Sequence, residues 1–168
     1  EYDLSPDSCE MVIDVVRQNV PYVMVDLPHT WTPWMKSILL QADEIIITAV
    51  PDLANLRNAK NLIDLTSGHR KNDKPPKLIV NMANMPKRQE IPVAEFAQHL
   101  GIDPIAVIDF DTESFSKAST NGMMIEEFVE KAKATQQFRD LAMVLTNKQE
   151  AKVTETKGCL LYTSPSPR

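Results

Sequence analysis

Glycine is scarce: Gly68, Gly101, Gly122 and Gly158 are the only four among 168 residues. Their spacing makes neither a Gly-x-Gly-x-x-Gly turn nor a Gly-x-x-x-x-Gly-Lys-Ser/Thr loop, so a glycine-rich backbone cradle for phosphate is missing from this sequence. Cysteine is scarcer. Cys9 and Cys159 form no Cys-x-x-Cys and no metal-ligand spacing with His29, His69 and His99, which argues against a structural disulfide or a zinc site. No apolar run approaches the roughly 18 residues that a membrane span needs. Positive charge is in deficit, 18 Lys and Arg against 23 Asp and Glu, which argues against a general nucleic-acid binder. The pairs Arg70-Lys71 and Lys87-Arg88 read as solvated loops. Also missing are a Gly-x-Ser-x-Gly elbow and a neighbouring Ser, His and Asp set, so a hydrolase triad is not indicated. Glu1 is not a start methionine and no signal peptide follows it, so the chain is expected to be a piece of something longer.

What is present is alternation. Four short apolar runs, Tyr22-Val23-Met24-Val25, Glu44 to Ala49, Lys77 to Val80 and Ile105 to Ile108, are β-branched and near-continuous, as in strands buried on both faces. Helical spacing separates them. Pro6 to Gln18 carries Met11, Val12, Val15 and Val16; Pro33 to Ala42 carries Trp34 and Ile38; Asp52 to Thr66 carries Leu53, Leu56, Ala59, Leu62 and Ile63, with Gly68 as its stop. Val93 to Leu100 ends at Gly101, Thr120-Asn121-Gly122 reads as a turn, and Phe138, Leu141, Ala142 and Leu145 mark a last amphipathic helix. The alternation predicts an α/β fold, a parallel sheet with helices on both faces. In such sheets a ligand sits beyond the carboxyl ends of the strands, which singles out Asp26, Val50 to Asp52, Asn81 to Asn84 and Asp109 to Asp111.

Asp26 follows an apolar run directly. A carboxylate at a buried strand end is costly unless it binds something, and nucleotide hydrolases place an acid there to hold Mg²⁺ through water. A cap or turn role for Asp26 is equally supported by position alone. His29 fits a general base or, better, a polar loop histidine; Trp31 and Trp34 fit packing rather than base stacking. Asn81 carries an amide suited to a base edge, and an Asx-turn at the strand end is its simpler alternative.

Taken in order, Val23-Met24-Val25-Asp26-Leu27-Pro28-His29, Ala42 to Ile47, Pro51 to Lys60, Lys77 to Asn81, Asp109-Phe110-Asp111 through Asn121-Gly122-Met123-Met124-Ile125, and Phe138 to Ala142 resemble the ParA/MinD superfamily of P-loop ATPases. Within it they are most similar to the CpaE/TadZ-type ATPases of Flp (Tad) pilus assembly. The resemblance covers about Asp7 to Lys148. It implies ATP and Mg²⁺ as cofactors, with Asp26 as the catalytic acid acting on Mg²⁺ and the attacking water. It implies Asn81 as the adenine-reading residue, and Asp109 and Phe110 in the segment that passes the base. The family usually has Pro where this chain has Asp109.

The same resemblance implies that residues 1–148 are the C-terminal part of an ATPase domain whose phosphate-loop strand lies outside this chain. Without that strand, the strands ending at Asp26 and Ala49 are expected to expose backbone edges, and the isolated chain to bind ATP weakly or not at all. The family implies a cytoplasmic homodimer in the full-length protein, possible action at the cell pole, pilus assembly and secretion components as partners, no specific nucleic acid and no transmembrane segment. Competing readings are a chromosome- or plasmid-partitioning or division-site ATPase, and a non-hydrolysing localisation scaffold of the same fold. An unrelated doubly wound enzyme lacks any cofactor fingerprint. Residues 149–168 are expected to be a disordered tail. Within it, 158–168 resemble a translated sequencing adapter rather than native sequence.

Overall fold

A computed structural model describes residues 5–28 and 30–146. His29 and the predicted tail from 149 onward, with Cys159, lie outside the described residues. The elements are α1 (Pro6–Arg17), α2 (Pro33–Gln41), β1 (Ile46–Ala49), α3 (Leu53–His69), β2 (Lys77–Ala83), α4 (Val93–Leu100), β3 (Pro104–Asp109), α5 (Thr112–Thr120), α6 (Ile125–Phe128) and α7 (Lys133–Leu145).

The strands form one parallel sheet in the order β1-β2-β3, with α3 and α4 as the crossovers. Successive side chains of a strand face opposite ways, and the two cores follow that rule. Ile47, Ala49, Leu78 and Val80 point into one core with Ala59 and Ile63 of α3 and Phe96 and Leu100 of α4. Ile79 and Ile108 point into the other, with Leu141 of α7, and Ile46 packs against it. Helices therefore cover both faces, as the near-continuous apolarity of the runs predicts. Phe96, Leu78 and Val80 are completely buried.

Local chemistry fixes the helix ends. Ser5 caps α1, Thr32 caps α2 ahead of Pro33, Asp52 caps α3 and Asp111 caps α5, each accepting a backbone N–H three residues on. Gly101 closes α4 at φ +74°, a left-handed conformation that glycine adopts without a Cβ clash. The predicted stop at Gly68 is overrun: α3 continues to His69, with Gly68 inside its last turn.

One predicted strand is corrected. Tyr22 to Val25 belongs to no strand, and all four residues are exposed, Met24 by 80%. Asp26 is likewise exposed, so it does not follow a buried strand. A strand exists only through its neighbour's hydrogen bonds, and no described residue pairs with this segment. Only Leu27 turns inward, against the core that holds β1. α1 shares the condition, with Met11, Val12, Val15 and Val16 all exposed, although it packs on α2 and Glu10 accepts hydrogen bonds from Ser37 (2.6 Å) and Gln41 (2.7 Å).

The two sheet edges differ. β1 pairs with β2 alone among the described residues, leaving its outer edge open. At β3, the Gln137 side chain of α7 donates to the Val107 carbonyl at 2.6 Å. No described helix is long and apolar enough to cross a membrane.

Candidate functional site

The carboxyl ends of the three strands converge, and polar side chains knit them together. β1 runs into Val50-Pro51-Asp52. The Asp52 carboxylate accepts from the Asn55 backbone N–H (2.8 Å) and side chain (2.9 Å), and it pairs with Arg88 of the β2–α4 loop. The same loop is stitched to β1 where the Ile91 N–H donates to the Pro51 carbonyl at 2.9 Å. Burial raises the Asp52 pKa, but the bonds from Asn55 and the Arg88 charge outweigh it and hold the group below its ordinary value.

The end of β2 is irregular. Between the pairs Val80↔Val107 and Ala83↔Asp109, β2 spends one residue more than β3, a bulge at Asn81-Met82. Bulges of this kind re-aim side chains beside functional sites. Met82 (φ +53°), Asn84 (φ +61°) and Lys87 (φ +63°) are all left-handed, which is unfavourable for Met and Lys and tolerated by Asn. Side chains hold the turn. Asn81 Oδ1 accepts the Met82 N–H at 2.9 Å, and the Glu90 carboxylate accepts the N–H groups of Asn84 and Met85, each at 2.9 Å. Clustered strain of this kind is typical of ligand-binding turns.

β3 ends at Asp109, whose carboxylate accepts from Asn84 Nδ2 at 2.8 Å and pairs with Lys133 at the start of α7. The Phe110 N–H donates to the Ala83 carbonyl at 2.8 Å, bringing β3's exit against β2's. Burial pushes the Asp109 pKa up; the bonds from Lys133 and Asn84 pull it further down, below the usual carboxylate value. Lys133 opens α7, where a positive charge opposes the helix dipole, and Asp109 offsets this.

Of the residues singled out in the sequence, the structure gathers Asn81, Asp109 and Phe110 at adjoining strand ends. Asp26 is not joined to them by any hydrogen bond or ion pair among the described residues. The Asn81 oxygen accepts the N–H of the next residue, Met82, rather than the N–H two residues on that an Asx-turn uses, and its NH₂ makes no hydrogen bond among the described residues. Sequence reasoning missed Lys133, which shares Asp109 with Asn84, and Glu90, and it read Arg88 as solvated. Arg88 is not a solvated loop residue, since its side chain is 28% exposed and paired. Nor is Arg70, whose side chain is 8% exposed, bonded to Asp73 and to the Asp43 carbonyl. The signal that could have found Arg88 and Glu90 is the concentration of Asn, Pro, Lys, Arg, Gln and Glu between Asn81 and Glu90, residues that fix turns.

The cluster is an open surface. Two shallow hollows are lined by other residues, one of about 160 Å³ beside Arg70, Lys74 and Pro75, and one of about 360 Å³ between Glu130 and Arg139. Among the described residues, no three His, Cys, Asp or Glu side chains group as a metal site.

No family model matches the chain. It is 28% identical over 122 residues to the septum site-determining protein MinD of Bacillus subtilis (strain 168), covering 71% of this chain and 45% of that protein. Among solved structures it is similar to a ParA family ATPase from Chlorobium tepidum TLS, with TM-score 0.74 and 21% identity over 84% of this chain and 57% of that one. A MinC:MinD cell division protein complex from Aquifex aeolicus matches with TM-score 0.73 and 22% identity, over 87% and 61%. MinD from Pyrococcus horikoshii OT3, complexed with Mg-ADP, matches with TM-score 0.69 and 18% identity, over 86% and 59%. The chain thus has the α/β fold of the ParA/MinD P-loop ATPases. It spans about half the length of the curated relative and about three-fifths of the solved chains.

Proposed function

We propose that this chain is the C-terminal part of a ParA/MinD-type ATPase domain, supplying the base-reading side of the nucleotide site and the acid Asp26. The observation that carries this reading is the convergence of Asn81, Asp109 and Phe110 at the carboxyl ends of a parallel sheet, the position where such sheets hold ligands. The fold likeness to MinD complexed with Mg-ADP supports it.

The residues present fit part of what ATP and Mg²⁺ require. Asn81 offers amide N–H donors to a base edge. Asp26 is an exposed carboxylate, the ligand class that Mg²⁺ takes singly, with nucleotide phosphates and water completing its octahedron. Bound Mg²⁺ would neutralise charge on the transferred phosphoryl group. Asp26 would orient the attacking water by accepting its proton in a hydrogen bond. This sequence has no glycine-rich loop for the phosphates, so the isolated chain is expected to bind ATP weakly. Micromolar binding of a labelled ATP analogue by the isolated chain overturns that expectation.

The decisive assay uses the whole gene product in which this chain occurs. Asp26→Asn is expected to lower Mg²⁺-dependent ATP turnover by roughly 100-fold or more while ATP still binds, the scale of losing a positioned acid–base group. Undiminished turnover removes Asp26 from the mechanism.

For the cellular role, the resemblance of Pro51 to Lys60 favours Flp pilus assembly and polar placement of its secretion machinery, with homodimerisation in the full-length protein. The second reading is division-site positioning or partitioning, favoured by the 28% identity to the septum site-determining MinD. Pilus secretion genes beside this gene support the first; chromosome-segregation genes support the second.

A further inference from the structure

We propose that Asn84 reads the base together with Asn81, and that Asp109 is the positioning residue that orients Asn84 and so selects adenine over guanine. The inference rests on the nucleotide-binding reading above and adds a specificity device to it.

An amide side chain has one end that accepts and one that donates, and which end it offers a ligand depends on what holds the other. Both amides here are held by partners of only one kind. The Met82 N–H can only donate, so Asn81 must give it the oxygen, at 2.9 Å, and keep its NH₂ for a ligand. The Asp109 carboxylate can only accept, so Asn84 must give it Nδ2, at 2.8 Å, and keep its oxygen. Neither orientation is free to invert without losing a bond. Asn84 is exposed, so its remaining oxygen is accessible.

The exit of β2 therefore offers one donor, from Asn81, and one acceptor, from Asn84. Adenine carries the complement, an acceptor at N7 beside the donor amine at N6. Guanine carries two acceptors, N7 and O6, on that edge. Facing guanine, the Asn84 oxygen would meet O6 with no proton between them. Sugar and phosphate are the same in ATP and GTP, so discrimination falls on these atoms.

The turn is built to keep this arrangement. Glu90 takes the backbone N–H groups of both Asn84 and Met85, which fixes Asn84 at φ +61°. Lys133 occupies the other oxygen of Asp109, leaving less of the carboxylate to accept guanine's own N–H donors. Asp109 stands where the resembled family usually has Pro, a residue without a side-chain acceptor.

The test titrates the ¹⁵N-labelled whole gene product in which this chain occurs with ATP and with GTP into the millimolar range, following the side-chain amide signals of Asn81 and Asn84. In the unmodified chain both signals are expected to move, and ATP to be preferred by roughly tenfold, within the range that a bidentate base contact provides. Asp109→Ala is expected to bring the two nucleotides within about twofold of each other, because the Asn84 amide can then invert. Asp109→Asn is expected to lose the preference as well, because Lys133 takes the one amide oxygen and the NH₂ left facing Asn84 favours the inverted amide. Loss of preference in a variant of unchanged shape distinguishes orientation of Asn84 from general support of the fold. Asn84→Ala, at an exposed position, supplies a second variant and is expected to lose the preference too.

An unchanged preference in Asp109→Ala and Asn84→Ala, with ATP still bound, overturns the proposal and leaves nucleotide binding standing. So does nucleotide binding that leaves the Asn84 amide unmoved. No response anywhere to either nucleotide overturns the nucleotide-binding reading and this inference with it.

Discussion

Asp52 does two separable jobs, and substitutions can pull them apart. Its carboxylate caps α3 through Asn55 and ties α3 to the β2–α4 loop through Arg88. A lost N-cap costs about 1 kcal/mol. The ion pair is less exposed than a typical surface pair, with 28% and 25% of the two side chains accessible, so about 1 kcal/mol is a fair value for it as well. Asp52→Ala removes both and is expected to cost about 2 kcal/mol. Asp52→Asn keeps an oxygen for the cap and should cost about half as much. Arg88→Ala should cost about 1 kcal/mol, and the Asp52→Ala/Arg88→Ala double variant should cost less than the two singles summed. For a chain of this size, Asp52→Ala then lowers Tm by roughly 4–8 °C. Urea unfolding followed by far-UV circular dichroism measures each value, with m held constant as the check on comparability. Equal losses for Asp52→Asn and Asp52→Ala would refute the cap argument. Strict additivity in the double variant would refute the pair.

Other outcomes follow from the same structure. Phe96 is fully buried against α3 and the sheet, so Phe96→Ala is expected to cost about 3–5 kcal/mol in urea unfolding; a loss below about 1 kcal/mol would mean that this core is not consolidated. Asp52 and Asp109 are both held below the ordinary carboxylate pKa. Between the folded and unfolded values the unfolded chain binds more protons, so their contribution is complete above about pH 4 and is lost as pH falls through the folded values. The urea midpoint should drop on acidification in that window, and less steeply in Asp109→Asn; an identical slope would count against Asp109. The open β1 edge and the exposed Met11, Val15 and Met24 should make the isolated chain self-associate with concentration in sedimentation velocity. Thr48→Lys, on β1, should reduce that association; no change would acquit the edge.

Periodicity made β2, β3, α3, α4 and α7 legible because each buries a face whose residues recur at the element's own spacing. Leu78 and Val80 against Ile79 is the clearest case, with opposite cores on alternate residues. Tyr22 to Val25 has the same composition and forms no strand, since composition records a preference while pairing needs a neighbour. Strand-end logic picked out Asn81, Asp109 and Phe110 as candidates. It did not reach Lys133, which meets Asp109 from 24 residues away, and it treated Arg88 as solvated because nothing local marks its bond to Asp52, 36 residues distant. Contacts of that separation depend on how the sheet brings its exits together, which no window of sequence contains.

The unequal edges of the sheet also limit the stoichiometry of self-association. Gln137 occupies the Val107 carbonyl on β3, whereas no such contact covers β1 among the described residues, so β1 is the more receptive edge for a second chain. A filament of stacked sheets needs two receptive edges on every subunit, one for each neighbour. Two copies meeting through β1 would each use the same edge, and the contact would close about a two-fold axis. Association by this route ends at a pair and does not propagate into fibres.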